Sequence, residues 1–253
     1  MLPVERHRAI LYEVNTRGSI RVKELSRMFE VTEETVRRDL DNLEHEGKLL
    51  RSYGGAIRIE GDQRETPLPQ REAEHVPEKE RIACEAATYV VPGDRIVLDA
   101  STTAWHLAMV LPNIPVTVVT NSMKVALELS SRDKIEVIST GGIVGSDSLS
   151  YVGPIAEDAL RQFHVNKAFV SCKGLHSEFG LSESHALQAL VKRNMVSIAD
   201  EVFVLADHSK IQMRDFTIVS PLEDVDVLIT DHQVSNEDVL AIRRQGVRVI
   251  QVS

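Results

Sequence analysis

The sequence predicts two domains of different class: an N-terminal winged helix-turn-helix over 1–59 and, over 77–253, a larger α/β domain on a mostly parallel sheet. Three observations carry this. Three short helical periodicities are followed by a glycine-centred hairpin. Residues 60–78 (EGDQRETPLPQREAEHVPE) are then polar, carry three prolines and show no period, which reads as a linker over 60–76. Beyond it, strand-like runs alternate with helical stretches to the last residue, the pattern of a sheet with helices on its faces.

Residues 5–16 (ERHRAILYEVNT) place Ile10, Leu11 and Val14 on one helical face, and Gly18 ends the helix. Residues 22–30 (VKELSRMFE) form a second, short helix expected to bury Leu25, Met28 and Phe29. Thr32 is a suitable N-cap for a third helix, in which Val36, Leu40 and Leu43 recur at i, i+4 and i+7 before Gly47 stops it. Residues 48–59 (KLLRSYGGAIRI) give two extended arms around Gly54-Gly55. In the second domain the strands are expected at 95–99, 116–120, 135–139, 167–171, 201–206, 225–230 and 247–251. Helices are expected at 102–111, 122–131, 154–163, 184–199 and 235–244.

The composition, 43% hydrophobic but only 4% aromatic, suits a core of Val, Ile, Leu and Ala, the usual material of a covered parallel sheet. The net charge of −9 is unevenly spread: residues 1–60 carry 11 basic and 11 acidic side chains, residues 61–253 carry 18 and 27. The acidity belongs to the second domain and leaves the first free to approach phosphates. Two cysteines, Cys84 and Cys172, fit a reducing compartment, and the start MLPVERHRAI has no signal-peptide apolar stretch. A soluble, cytoplasmic protein without membrane contact is expected.

The third helix presents Glu33, Glu34, Thr35, Arg37 and Arg38 near its N-terminal end, with Thr32 at its cap. A recognition helix reads base edges from that end. The arginine fork spans two acceptors of guanine, and threonine can meet a thymine methyl or a phosphate. Arg51 and Arg58, with Tyr53 at the hairpin tip, are placed to bind backbone phosphates beside the groove. An exposed arginine doublet on a helix is also common without any partner. The wider pattern decides: residues 20–56 closely resemble the N-terminal domain of the DeoR family of bacterial sugar-catabolism regulators. The shared features are V-T-x-x-T-V-R-R-D-L, the following L-E-x-x-G and the R-x-x-G-G-A wing; Tyr53 stands where the family usually has histidine. The resemblance implies a repressor on double-stranded operator DNA, acting as a homodimer or homotetramer because one winged helix reads only a half-site.

In the second domain, small polar residues fall just past the carboxyl ends of the strands, where open α/β sheets bind ligands. These are Asp99 and Ser101-Thr102-Thr103, Asn121-Ser122, Thr140-Gly141-Gly142, Cys172-Lys173-Gly174 and Asp207-His208-Ser209-Lys210. Hydroxyls and unpaired N–H groups at helix starts cradle phosphate, and glycines let a ligand approach the backbone. Each piece alone reads as an ordinary cap or turn. Five such loops on one edge point to a phosphorylated polyol. From about residue 75 onward the chain is similar to the DeoR sensor domain, itself similar to ribose-5-phosphate isomerase, through G-D-R-I-V-L-D-A-S-T-T, V-V-T-N-S, S-T-G-G, V-K-R-x-M and A-D-H-S-K.

That resemblance implies effector contacts from Asp99, Ser101, Thr102, Thr103, Asn121, Ser122, Gly141, Gly142 and Lys210, with Lys192 a further candidate; Lys173 and Asp207 join them from the loop pattern. Ser101 stands where the family commonly has glycine, and Lys173 where the isomerases have aspartate. A lysine ammonium binds anions but cannot serve as the carboxylate base of an isomerase. Binding without catalysis is expected, and the rival is a sugar-phosphate isomerase with an accessory DNA-binding arm, for which Glu183 would be the base. A transcriptional activator is the other alternative. Within the family, the motifs look most like regulators of deoxyhexose (rhamnose-type) catabolism, with a ketose 1-phosphate as effector. His106, His164, His176, His185 and His208 show no metal-ligand spacing, so no metal and no cofactor are expected; Cys172 has no evident base partner.

Overall fold

The computed structural model describes residues 3–17, 19–45, 48–52, 54–57 and 66–253. They fall into two units, Met1–Asp62 and Gln63–Ser253. Gly18, Gly47, Tyr53, Arg58 and the first part of the expected linker lie outside the described residues.

The first unit runs α1 (Pro3–Arg17), β1 (Ser19–Arg21), α2 (Val22–Phe29), α3 (Glu33–His45), β2 (Leu50–Ser52) and β3 (Gly55–Ile57). Its core is Ile10 and Val14 from α1, Val22 and Leu25 from α2, and Val36, Leu40 and Leu43 from α3, closed by Ile20, Leu49 and Ala56. Met28, expected inside, is exposed, because the buried stripe of α2 runs through Val22 and Leu25 instead, with Phe29 partly buried. The α2–α3 turn is fixed by side chains: Ser26 Oγ donates to the Val31 carbonyl at 2.6 Å. Thr32 caps α3, its Oγ1 accepting from Thr35 N at 3.2 Å. The wing is three-stranded, in the order β1-β3-β2. The short strand β1 passes so close that a Cβ on Gly55 would lie 2.3 Å from the Ile20 carbonyl oxygen.

The second unit runs α4 (Leu68–Ala73), α5 (Val76–Ala87), β4 (Arg95–Leu98), α6 (Thr102–Val110), β5 (Val116–Thr120), α7 (Met123–Leu129), β6 (Ile135–Ser139), β7 (Ile143–Gly145), β8 (Ser150–Val152) and α8 (Pro154–Leu160). It continues with β9 (Val165–Val170), β10 (Gly174–His176), β11 (Gly180–Glu183), α9 (Ala186–Ser197), β12 (Ala199–Leu205), β13 (Thr217–Ser220), β14 (Val227–Asp231), α10 (Asn236–Arg244) and β15 (Arg248–Val252).

All seven expected strands form one parallel sheet, ordered β15-β14-β12-β9-β4-β5-β6. One face, with Val97, Ala168, Val170, Val202 and Val204, packs on α8, α9 and α10. The other, with Ile96, Leu98, Phe169 and Phe203, packs on α5, α6 and α7, and Phe169 stacks on Phe203 at 4.8 Å. From β4 the chain steps to β5 and β6, then returns to β9 on β4's other side. The crevice past the carboxyl ends of β4 and β9 is therefore the sheet's topological switch point.

The segment expected as linker is partly helical. Pro67 precedes α4 and Pro77 sits in the first turn of α5, where a missing N–H costs nothing. Leu68 is buried, and its N–H donates to the Asp147 carbonyl at 2.8 Å. Lys124 on α7 holds α4 through Glu72.

Candidate functional site

In the first unit, α3 offers Glu33, Glu34, Thr35, Arg37 and Arg38 at its exposed N-terminal end. Arg37 pairs with Glu33 at 3.0 Å, and Arg38 stands 3.9 Å from Glu34 with its side chain 80% exposed. Such surface pairs are worth roughly 0–1 kcal/mol, so both arginines are cheaply redirected to another anion. The next residue, Asp39, is buried: Arg6 Nε donates to it at 2.5 Å, and His7 Nε2 lies at 2.9 Å. Burial alone would raise the Asp39 carboxyl, but the bonds from Arg6 and His7 outweigh it and hold it below the usual range. Asp39 thus aligns α3 against α1, a positioning role that sequence reading missed. Arg51 is turned back on α3, Nε to Asp41 at 3.1 Å, with its N–H donated to Glu44 at 2.9 Å.

In the second unit, a cavity at the switch point is lined by Ser101, Thr102 and Thr103 after β4, Ser171 to Lys173 after β9, and Asp207 and Lys210 after β12. Glu183 on β11 and Lys192 on α9 complete its floor, and Arg71, Glu74, His75 and Lys79 cover it from α4 and α5. The cavity volume is about 40 Å³. Ser101 caps α6, its Oγ accepting from Ala104 N at 3.0 Å. Below it lies a buried ionic cluster: Lys192 Nζ is 2.9 Å from Asp99 Oδ2, 2.5 Å from Glu183 Oε1 and 2.6 Å from the Ser171 carbonyl. Burial would lower the Lys192 ammonium, but Asp99 and Glu183 prevail and raise it. Asp99 also accepts from Ser101 N at 3.0 Å and Ser171 N at 2.8 Å. It ties two loops together rather than presenting free oxygens.

Two further lysines are bonded to the segment over 66–74. Lys79 Nζ donates to the carbonyls of Arg71 and Glu74, which fastens α4 to α5. Lys173 Nζ donates to Thr66 Oγ1 at 2.8 Å. Burial lowers both ammonium groups, Lys79 to about 8, with Lys210 adding repulsion to each. In Asp207, burial would raise the carboxyl, but Lys210 and the Ser209 hydroxyl and N–H outweigh it and lower it. Burial pushes the Cys172 thiol up to about 12, which disfavours the thiolate.

The fold thus gathers Ser101, Thr102, Thr103, Lys173, Lys192, Asp207 and Lys210 in one cavity, with Asp99 directly beneath. It places Asn121, Ser122, Gly141 and Gly142 elsewhere. Asn121 Nδ2 donates to the Tyr151 carbonyl at 2.9 Å, and Ser122 caps α7. A Cβ on Gly142 would meet the Val152 carbonyl oxygen at 2.9 Å. These residues dock the β7–β8 hairpin and α8, so three of the five loops form the cavity. Arg71, Glu74 and His75 were missed because their segment reads as linker, and Lys79 because the helix that carries it was not among those expected. The available signal was Ile82, Ala83 and Ala86 recurring behind Pro77. Linear spacing also concealed one metal-capable set among the described residues, His75, Asp207 and His208, whose ligand atoms lie within 4.8 Å of one another.

Comparison with known proteins agrees with both units. Residues 6–61 match the DeoR-like helix-turn-helix domain, and residues 74–232 match the DeoR C-terminal sensor domain. An uncharacterized HTH-type transcriptional regulator of Bacillus subtilis, YulB, is 51% identical over 100% of this chain and 98% of its own. The L-fucose operon activator of Haemophilus influenzae is 31% identical over 90% of this chain and 92% of its own. The HTH-type transcriptional repressor GlcR of B. subtilis is 33% identical, covering 99% and 96%. Among solved structures, ribose-5-phosphate isomerase from Methanocaldococcus jannaschii aligns over 52% of each chain, with 19% identity and a TM-score of 0.39.

Proposed function

The chain belongs to the DeoR family of helix-turn-helix transcription regulators, and from that premise we propose that it represses a sugar-catabolic operon until a phosphorylated sugar occupies the switch-point cavity. The observation that carries this is a small cavity, rich in cationic side chains, whose cover is the first segment after the DNA-binding unit. Lys79, Lys173, Lys210 and Arg71 surround it, and Ser101 to Thr103 open a helix beside them, a combination suited to phosphate. About 40 Å³ holds little more than water, whereas small-molecule pockets reach about 300 Å³ or more. A sugar phosphate must therefore displace something. The segment over 66–75 is held by Lys173 and Lys79, two of the cations that an incoming phosphate would meet. Ligand and cover compete for the same lysines, and the cover follows the first unit in sequence.

Binding without turnover fits the same geometry, because Asp99 and Glu183 share Lys192 and neither is poised as a base. The effector is read as a ketose 1-phosphate from deoxyhexose (rhamnose-type) catabolism. The repressor sign accords with the name of GlcR and the activator alternative with that of the L-fucose operon activator. Operator position relative to the promoter separates the two. Two or four copies are required for a two-half-site operator. No described helix is long and apolar enough to cross a membrane.

A panel of sugar phosphates screened by thermal shift tests the reading. A true effector at one hundred times its dissociation constant stabilises the protein by about 2.7 kcal/mol. The corresponding unphosphorylated sugars give no shift. A panel without any phosphate-dependent shift would remove the effector reading. Thr66→Val deletes one latch that the ligand must break. With a hydrogen bond worth about 1 kcal/mol, it tightens effector binding about fivefold, measured by calorimetry.

A further inference from the structure

We propose that His75, Asp207 and His208 bind a divalent transition-metal ion, zinc above all, at the edge of the effector cavity. The three groups come from opposite sides of it. His75 is the residue before α5, in the cover, while Asp207 and His208 follow β12 on the sheet. Their ligand atoms lie within 4.8 Å of one another, and the imidazoles meet edge-on at 5.1 Å. Ligand atoms on one tetrahedral zinc stand roughly 3.3 Å apart, so small side-chain rotations complete the set.

The second observation is what stands behind His208. Its Nδ1 lies 3.1 Å from Oδ2 of Asp231, a fully buried carboxylate that also accepts the His208 N–H at 2.8 Å. That contact leaves Nε2 as the coordinating nitrogen. Metal-bound histidines almost always have such a carboxylate or carbonyl on the far nitrogen, where it orients the ring and raises its basicity. Asp207 is similarly prepared: Oδ1 accepts from Ser209 N at 3.0 Å and from the Ser209 hydroxyl, leaving Oδ2 for a ligand. Two nitrogens, one oxygen and open positions select zinc, copper, nickel or cobalt over magnesium, which prefers oxygen donors. Lys79 and Lys210 oppose a dication there, and the carboxylates of Asp207 and of Asp231 behind His208 offset them. A bound ion would also staple the cover to the sheet; that consequence rests on the regulatory reading, whereas the site itself does not.

The test uses the full-length protein, stripped with chelator, and metal salts alone, without DNA or sugar. Zinc is expected to bind at one equivalent per chain by calorimetry, cobalt(II) to develop visible d–d absorption, and magnesium to do neither. His75→Ala and His208→Ala each abolish the cobalt spectrum. Asp231→Asn weakens zinc binding about 10- to 100-fold. His164→Ala, at an exposed histidine outside the set, leaves the binding unchanged. Absence of stoichiometric zinc binding overturns the proposal, as does binding that survives both His75→Ala and His208→Ala. Neither result touches operator binding, which is measured separately.

Discussion

Replacing Arg37 and Arg38 together with alanine is expected to weaken operator binding by about 100-fold or more while leaving the melting temperature unchanged. Each arginine at a base or phosphate is worth about 1–3 kcal/mol, and a tenfold change in affinity corresponds to about 1.4 kcal/mol. Against this stand only exposed pairs with Glu33 and Glu34, worth a few tenths each. The folded state therefore loses little when the arginines go, and operator binding is expected to lose two of its candidate contacts. The salt dependence separates two roles. If both arginines meet phosphates, the slope of log affinity against log salt falls by about 2; if they read guanines, discrimination between operator and random DNA collapses instead. Fluorescence anisotropy at several salt concentrations checks both. Asp39→Asn is a useful companion. It disturbs the Arg6–His7 anchor and should weaken DNA binding through helix placement, with a fall in stability that the arginine pair does not show.

Lys192→Met is expected to destabilise the second unit by about 3–5 kcal/mol, because it strands Asp99 and Glu183 in a buried site. At about 2–4 °C per kcal/mol for a domain of this size, the melting temperature falls by about 6–20 °C. Much of the loss is the penalty of an uncompensated carboxylate rather than the worth of the lysine. Lys192→Met with Glu183→Gln should therefore recover part of it, in a double-mutant cycle read by denaturant titration. Equal stabilities for the single and double variants would show that the cluster contributes through packing alone.

What the sequence disclosed follows how far each element's own residues determine it. The helix α3 is legible because Val36, Leu40 and Leu43 keep one face and Thr32 supplies its cap. The seven parallel strands are legible because runs such as RIVL and VTVVT are apolar enough to be buried on both faces. The cover is not. Pro67, Pro69 and Pro77 look like breakers, yet they occupy helix starts, and the six-residue α4 is too short to display a period. The three-residue strands that no glycine pair marks, β1, β7, β8 and β10, carry too little alternation to be read and exist because their partners hold them. The site was half legible for a related reason. Residues past a strand end are easy to name, but which loops converge depends on strand order. Order puts β4 beside β9 and sends Asn121, Ser122, Gly141 and Gly142 to the β7–β8 side. The four residues of the cover reach the cavity only through tertiary packing.

The most direct measurement is operator affinity by fluorescence anisotropy, with and without a saturating sugar phosphate that the thermal shift has identified. Competition for Lys79 and Lys173 predicts that the occupied protein releases DNA, with affinity at least tenfold lower, and that Thr66→Val reaches the released state at lower effector concentration. Equal operator affinity for the empty and the fully occupied protein would contradict it.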